Sequence, residues 1–242
     1  MALHFVVDDL ADAGESVVLT GAEAHHAVAV RRVRVGEEVT VGDGRGLWLT
    51  GVVAEPPAPK QLTVRITARR QVPAPTPRLV LVQALAKGDR DELAIQAATE
   101  LGVDEIVPWQ AARSVSRWDA AKAAKGVARW QSIVREAAKQ AHRAWVPAVT
   151  APVTTAQLAG RCADADVLLL EPTASDPLSR LPLATGRDIV LVVGPEGGIA
   201  PEELTALGAA GARAVRLGDT VLRTSTAGPA ALAVVSAGLG RW

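Results

Sequence analysis

The stretch that decides the fold is Ile189-Val190-Leu191-Val192-Val193-Gly194-Pro195-Glu196-Gly197-Gly198, followed by Ala200-Pro201-Glu202-Glu203. Five apolar, mostly β-branched residues without a polar break read as a strand buried on both faces. Proline just inside a helix start, with acids in the first turn, marks a helix N-terminus at Pro201. Strand, glycine turn and helix in that order place a crevice at the carboxyl end of a parallel sheet, where open α/β folds bind ligands. A loop that cradles phosphates offers bare backbone amides, often beside a lysine. Here Glu196 stands inside the turn and two more acids follow. The turn suits a cationic or polar ligand better than a pyrophosphate; taken alone it reads equally as a plain strand-to-helix connection.

Downstream, Leu217-Gly218-Asp219-Thr220-Val221-Leu222-Arg223-Thr224-Ser225-Thr226 leaves a strand at Ala214–Leu217. It turns at Gly218 and enters a last helix, read from Pro229 to Gly240, through three hydroxyl residues that are natural caps. Upstream, strands are expected at Leu79–Leu85, Val103–Trp109 and Val167–Leu170. Helices are expected over Asp89–Leu101, stopping at Gly102, from Asp119 to Pro147, and over Pro201–Ala210. Alternation of this kind predicts an α/β domain with a mostly parallel sheet covered on both faces, over residues 78–242.

Residues 73–77 carry proline at every second position and read as a stiff linker. Before it, residues 1–72 hold short strands at Leu3–Val7, Ser16–Leu19, Glu38–Val41, Leu47–Val53 and Leu62–Ala68, with no long helix between them. This predicts a small β-rich module, a barrel. A short helix is expected through His25 and His26. Adjacent helical residues point about 100° apart, so the two histidines are poorly placed to share a metal, and no metal site is expected.

The 26 basic and 26 acidic residues cancel, which argues against a generally basic nucleic-acid coat. The charge is nonetheless uneven, with eight basic residues between Arg113 and Arg143 against Asp119 and Glu136. A local basic face can bind phosphates on a neutral protein. The candidates for RNA contact are Arg113, Arg135, Lys139 and Arg143 there, with His26, Arg31 and Arg32 in the first module. Cys162 is the only cysteine, which excludes an intrachain disulfide and fits a reducing compartment. Asp8, Asp9 and Asp12 near the N-terminus do not suit a secretory signal, and no apolar run reaches membrane-spanning length. A cytoplasmic location without membrane association is expected.

The two glycine loops resemble the signature of the SPOUT methyltransferases, and of the RsmE family of 16S ribosomal RNA uridine N3-methyltransferases in particular. The resemblance runs along the chain through His26, Arg31 and Arg32, Lys87-Gly88-Asp89-Arg90, Thr99-Glu100-Leu101-Gly102-Val103, Arg113-Ser114, and Trp130 through Glu136, Gln140 and Arg143 to Pro147. It implies an RNA-binding PUA-like β-barrel over 1–72 and a SPOUT domain with a trefoil knot over 78–242. It also implies a homodimer with the active site near the subunit interface. S-adenosylmethionine would be held by Leu170, Gly194, Pro195, Glu196, Gly197, Gly198, Leu217, Gly218, Val221, Leu222, Arg223 and Thr224. Arg223 and Glu196 would be the catalytic residues, and the partner 16S ribosomal RNA or the small-subunit particle. Two positions depart from the family pattern. Ser225 stands where the family usually has an acid, and His4 precedes Phe5 where it has an arginine. A ribose 2′-O-methyltransferase on the same scaffold and a non-catalytic RNA-binding assembly factor are the alternatives.

Overall fold

The computed structural model describes residues 2–10, 13–58, 60–183 and 186–242; Asp12 lies outside them. The chain forms two compact units. One holds the residues up to Ala74 together with Ala138–Val146, the other Pro75–Ala137 together with Pro147–Trp242.

The first unit is a five-stranded sheet of β1 (Leu3–Val6), β2 (Ser16–Thr20), β3 (Glu38–Gly42), β4 (Leu47–Val53) and β5 (Gln61–Gln71), in the order β1-β3-β4-β5-β2. β1 runs parallel to β3 and the other pairs are antiparallel. One buried cluster draws Phe5, Leu19, Val41, Leu49, Leu62 and Val64 from all five strands, giving the interior expected of a small barrel. Between β2 and β3 lie α1 (Gly21–His25) and a π-helical turn over His26–Val30. His4 is spent on packing. Its ring stacks on Trp48 at 4.3 Å and its Nδ1 meets Thr40 Oγ1 at 2.9 Å. Burial, with the nearby His142 and Lys139, pushes this imidazole down to about 4.

The linker alone does not set the edge of this unit. The Trp145 indole N–H donates to Val72 O at 3.1 Å, Gly46 N–H to Ala144 O and Val146 N–H to Gly44 O. These bonds tie the segment after the long helix to the N-terminal strands, a pairing across about a hundred residues that local periodicity does not register. The same segment corrects the expected helix end. The helix stops at Gln140, not at Pro147. His142 takes a φ of +54°, while Arg143 N–H returns to Ala138 O and His142 N–H to Lys139 O, closing the last turn.

The second unit is a fully parallel six-stranded sheet. Its strands are β6 (Leu79–Ala84), β7 (Glu105–Trp109), β8 (Ala148–Val149), β9 (Ala165–Leu170), β10 (Asp188–Val193) and β11 (Arg213–Val215), in the order β11-β9-β10-β6-β7-β8. The helices are α2 (Arg90–Glu100), α3 (Ala120–Gln140), α4 (Thr155–Gly160), α5 (Pro201–Ala209) and α6 (Thr224–Gly238). β10 sits between β9 and β6, with Val193 level with Leu170 on one side and Gln83 on the other. All six residues of β6 are buried, as an interior parallel strand requires. The edge strand β8 and helix α4 are absent from the sequence reading. β8 has only two residues, too few for a period to show, whereas α4 carries a capping box of Thr154 and Gln157 that could have revealed it. Helix α6 begins at Thr224, five residues before the expected Pro229. Pro229 lies inside the helix, where it has no N–H to return to the carbonyl of Ser225.

Candidate functional site

Leu170, Val193 and Val215 are the last residues of β9, β10 and β11, three adjacent strands. They form the floor of a cavity of about 680 Å³ at the carboxyl end of the sheet. The Gly194–Gly198 loop makes one wall and the segment from Leu217 to Thr224 another. All twelve residues expected to hold the cofactor line this one cavity, although they come from three separate stretches of sequence. Arg90, Arg113, Glu171, Pro172 and Thr173 also line it, and none was in the expected cofactor set.

The first loop is held from every side. Gly198 N–H donates to Pro195 O at 2.9 Å, closing a turn in which Gly198 has a φ of +71°. Glu196 Oε1 accepts from Lys87 N–H at 3.1 Å and from Arg90 Nη1 at 2.9 Å. Arg113 Nη1 donates to Gly197 O at 2.9 Å, and Thr224 Oγ1 to Gly194 O at 3.0 Å. At Gly194 a Cβ would lie 2.8 Å from Ile199 Cγ1 and 3.1 Å from Ile199 N, so only glycine lets the chain fold back this tightly. Behind the loop, buried Glu203 in the first turn of α5 accepts from Ala112 N–H at 2.9 Å, Thr155 Oγ1 at 2.7 Å and Ala200 N–H at 3.3 Å. It thereby fixes the backbone just before Arg113.

Partial burial works to raise the Glu196 carboxyl. Its own N–H, that of Lys87 and the Arg90 guanidinium outweigh burial and hold the group below the usual carboxylate range. Such a group is a weak proton acceptor.

The second wall is open by contrast. Val221 is 78% exposed, Leu222 and Arg223 are exposed, and Gly218 has a φ of +138°. Arg216 pairs with Asp219 at 2.5 Å within this segment. Among the described residues the Arg223 side chain has no ion-pair partner. On the floor, Glu171 Oε1 accepts from Thr173 N–H at 3.1 Å and Thr173 Oγ1 at 2.8 Å. The signal that could have found Glu171 is its place directly after a strand of the switch region.

The expected RNA contacts divide. His26, Arg31 and Arg32 are exposed in the first unit. Arg113 lines the cavity wall. Lys139 Nζ pairs with Glu23 Oε1 at 2.8 Å, with the side chains 11% and 16% exposed. Arg135 lies on α3, and Arg143 follows its end and closes its last turn. The excess charge of this segment is further reduced by Arg129, which grips Glu92 with two nitrogens. No helix of the described residues is long and apolar enough to cross a membrane, and no group of three or more His, Cys, Asp or Glu among them could hold a metal ion.

Residues 73–236 match an RNA methyltransferase domain, and residues 19–67 an RNA methyltransferase PUA domain. A ribosomal RNA small subunit methyltransferase E of Mycobacterium bovis is 46% identical over 247 aligned positions, covering 100% of this chain and 94% of that protein. The structure of a ribosomal RNA small subunit methyltransferase E from Neisseria gonorrhoeae bound to S-adenosylmethionine superposes with a TM-score of 0.86, at 28% identity and 98% coverage of both chains. A methyltransferase from Legionella pneumophila in complex with the bound cofactor SAM gives the same TM-score at 30% identity, again covering 98% of each chain. A PUA-like β-module, a parallel α/β domain with two glycine loops at one cavity, and full-length similarity to these enzymes agree: the chain belongs to the ribosomal RNA small subunit methyltransferase E family of SPOUT methyltransferases.

Proposed function

We propose that the protein transfers a methyl group from S-adenosylmethionine to N3 of a uridine in small-subunit (16S) ribosomal RNA. The observation that carries this reading is the convergence of both glycine loops and three strand ends on a single cavity. At about 680 Å³ it lies within the range of small-molecule sites, on the order of 300–1,000 Å³. Its lining fits a sulfonium cofactor. It carries no lysine; its two carboxylates, Glu171 and Glu196, stand with three arginines, of which Arg90 is paired with Glu196 and Arg113 is bonded to Gly197 O, and the loops supply backbone hydrogen-bonding groups beside apolar Leu170, Val193, Val215 and Leu217. Leu170, the residues of Gly194–Gly198, Leu217, Gly218, Val221, Leu222, Arg223 and Thr224 would hold the cofactor, which when bound supplies an electrophilic methyl group.

The rest of the chemistry falls to the chain's own residues. Uracil N3 reacts best as its anion, so the site must favour that anion and hold N3 in line for transfer. Arg223, exposed at the cavity and without a carboxylate partner among the described residues, is the group suited to stabilise the uracil charge. Glu196 is better suited to hold its loop and the Lys87–Arg90 segment in place than to take the N3 proton, because its carboxyl is kept ionised by two donors. In the PUA-like domain, His26, Arg31 and Arg32 are the residues we assign to RNA, with Arg135 and Arg143 as further contacts.

A homodimer, a trefoil knot through the two loops, a domain boundary at residues 73–77 and a cytoplasmic location complete the proposal. The similarity to methyltransferase E proteins disfavours both the ribose 2′-O-methyltransferase and the non-catalytic assembly factor. Titration calorimetry with S-adenosylmethionine tests the base of this reading. One site per chain is expected; absence of binding would leave an RNA-binding assembly factor.

A further inference from the structure

Gln83 interrupts β6, an otherwise apolar strand of sequence Leu-Val-Leu-Val-Gln-Ala. It is fully buried, and no local pattern in the sequence marks it. Its Nε2 donates to Thr224 Oγ1 at 2.9 Å and to Ala84 O at 3.2 Å, while Thr224 Oγ1 donates to Gly194 O at 3.0 Å. Thr224 is itself buried and is the first residue of α6, directly after the open loop. The chain of bonds therefore joins the end of β6, the first residue of the Gly194–Gly198 loop and the last residue of the 217–224 wall. These elements are 30 and 141 residues apart in sequence.

The remaining atom of this group is informative. Gln83 Oε1 is buried and has no hydrogen-bond partner among the described residues. A buried acceptor left unpaired is a cost to folding. An apolar residue of similar volume would remove that cost and match the rest of the strand. A glutamine that the fold would do without, bonded to the hydroxyl that joins two walls of a cavity, serves the cavity more than the fold.

We propose that Gln83 and Thr224 form a clasp that sets the two glycine loops in register. Gln83 is a positioning residue acting through Thr224, outside the cavity lining. Thr224 has its hydroxyl engaged with protein on both sides, so its part in the site is to hold the walls and not to contact the ligand through that oxygen. The functional consequence rests on the cofactor reading of the cavity. With the clasp intact, the loops are pre-organised, and binding does not have to order them.

The test compares full-length wild type, Gln83→Met and Thr224→Val by hydrogen–deuterium exchange without ligand, by thermal unfolding, and by calorimetry with S-adenosylmethionine. Exchange in 194–198 and 217–223 should accelerate about tenfold in both variants, with exchange elsewhere unchanged. The thermal midpoint of Gln83→Met should be equal to or above that of wild type, and its cofactor affinity about tenfold weaker. Thr224→Ser, which keeps the hydroxyl, should restore most of the loop protection. Unchanged exchange in the loops would overturn the clasp, as would faster exchange throughout the domain with a lowered midpoint, the pattern of a purely structural residue. If wild type itself bound no S-adenosylmethionine, the cofactor reading would fall while the exchange data still decided the clasp.

Discussion

The two walls of the cavity are built on opposite principles. The Gly194–Gly198 loop is bonded to Lys87, Arg90, Arg113 and Thr224 within five residues, through the Glu196 carboxylate and the carbonyls of Gly194 and Gly197. The wall from Leu217 to Arg223 ends in three exposed residues, Val221, Leu222 and Arg223, and Arg223 carries a charge that the protein leaves available. One wall is fixed before any ligand arrives, and the other keeps its reactive group unspent. The difference separates holding from acting, and it predicts that substitutions in the two walls fail in different ways.

The largest effect belongs to the open wall. Arg223→Ala should lower methyl transfer by at least about a hundredfold, the usual cost of losing a donor that stabilises developing charge. Its thermal midpoint should stay near that of wild type, because the side chain supports no structure. Steady-state rates with small-subunit RNA and unfolding curves measure both, and undiminished turnover would remove Arg223 from the chemistry. In the fixed wall, Gly194→Ala drives a Cβ to 2.8 Å from Cγ1 of the Ile199 side chain and 3.1 Å from its backbone N. It should cost roughly 1–3 kcal/mol of stability and weaken cofactor binding, so binding and folding fail together there.

Glu196→Gln sharpens the contrast. If the residue only ties its loop, turnover should fall no more than about tenfold, with the change mainly in the KM for S-adenosylmethionine and no shift in the pH–rate profile. A loss of about a hundredfold or more in kcat with an altered profile would make it the general base instead. The smallest effect is on pH dependence. The folded carboxyl of Glu196 lies below its ordinary value, so its contribution to stability is present above that ordinary value and is lost as pH falls through the lowered one. The difference in thermal midpoint between wild type and Glu196→Gln should therefore shrink as the pH is taken down through the carboxylate range. A difference that stayed constant would show that the ion pair with Arg90 contributes nothing to holding the loop.

The same division explains what could be read from the sequence. The fixed wall was legible because strand, glycine turn and proline-led helix follow one another without interruption, and each leaves a local signature. The parallel sheet followed from the alternation of apolar runs with amphipathic ones. What binds the loop is not local. Arg90 reaches Glu196 across 106 residues, Glu203 reaches Ala112 across 91 and Gln83 reaches Thr224 across 141. Composition and periodicity do not register such pairs.

Charge counting meets the same limit. Lys139 entered the basic segment as a free cation, but Glu23, 116 residues earlier, neutralises it. Arg113, counted toward an RNA face, also lines the cavity. The hydroxyl run was read as a series of caps. It is the start of α6 itself, and the hydroxyl of Thr224 bonds to two other segments of the domain.

The most direct test is the position of the methyl group. Small-subunit ribosomal RNA, free or in its particle, is incubated with the protein and S-adenosylmethionine, digested to nucleosides and oligonucleotides, and read by mass spectrometry. The account predicts a single methylated uridine carrying the group on base N3. A methyl group on a ribose 2′-oxygen, or RNA left unmethylated by protein that binds the cofactor, would contradict it.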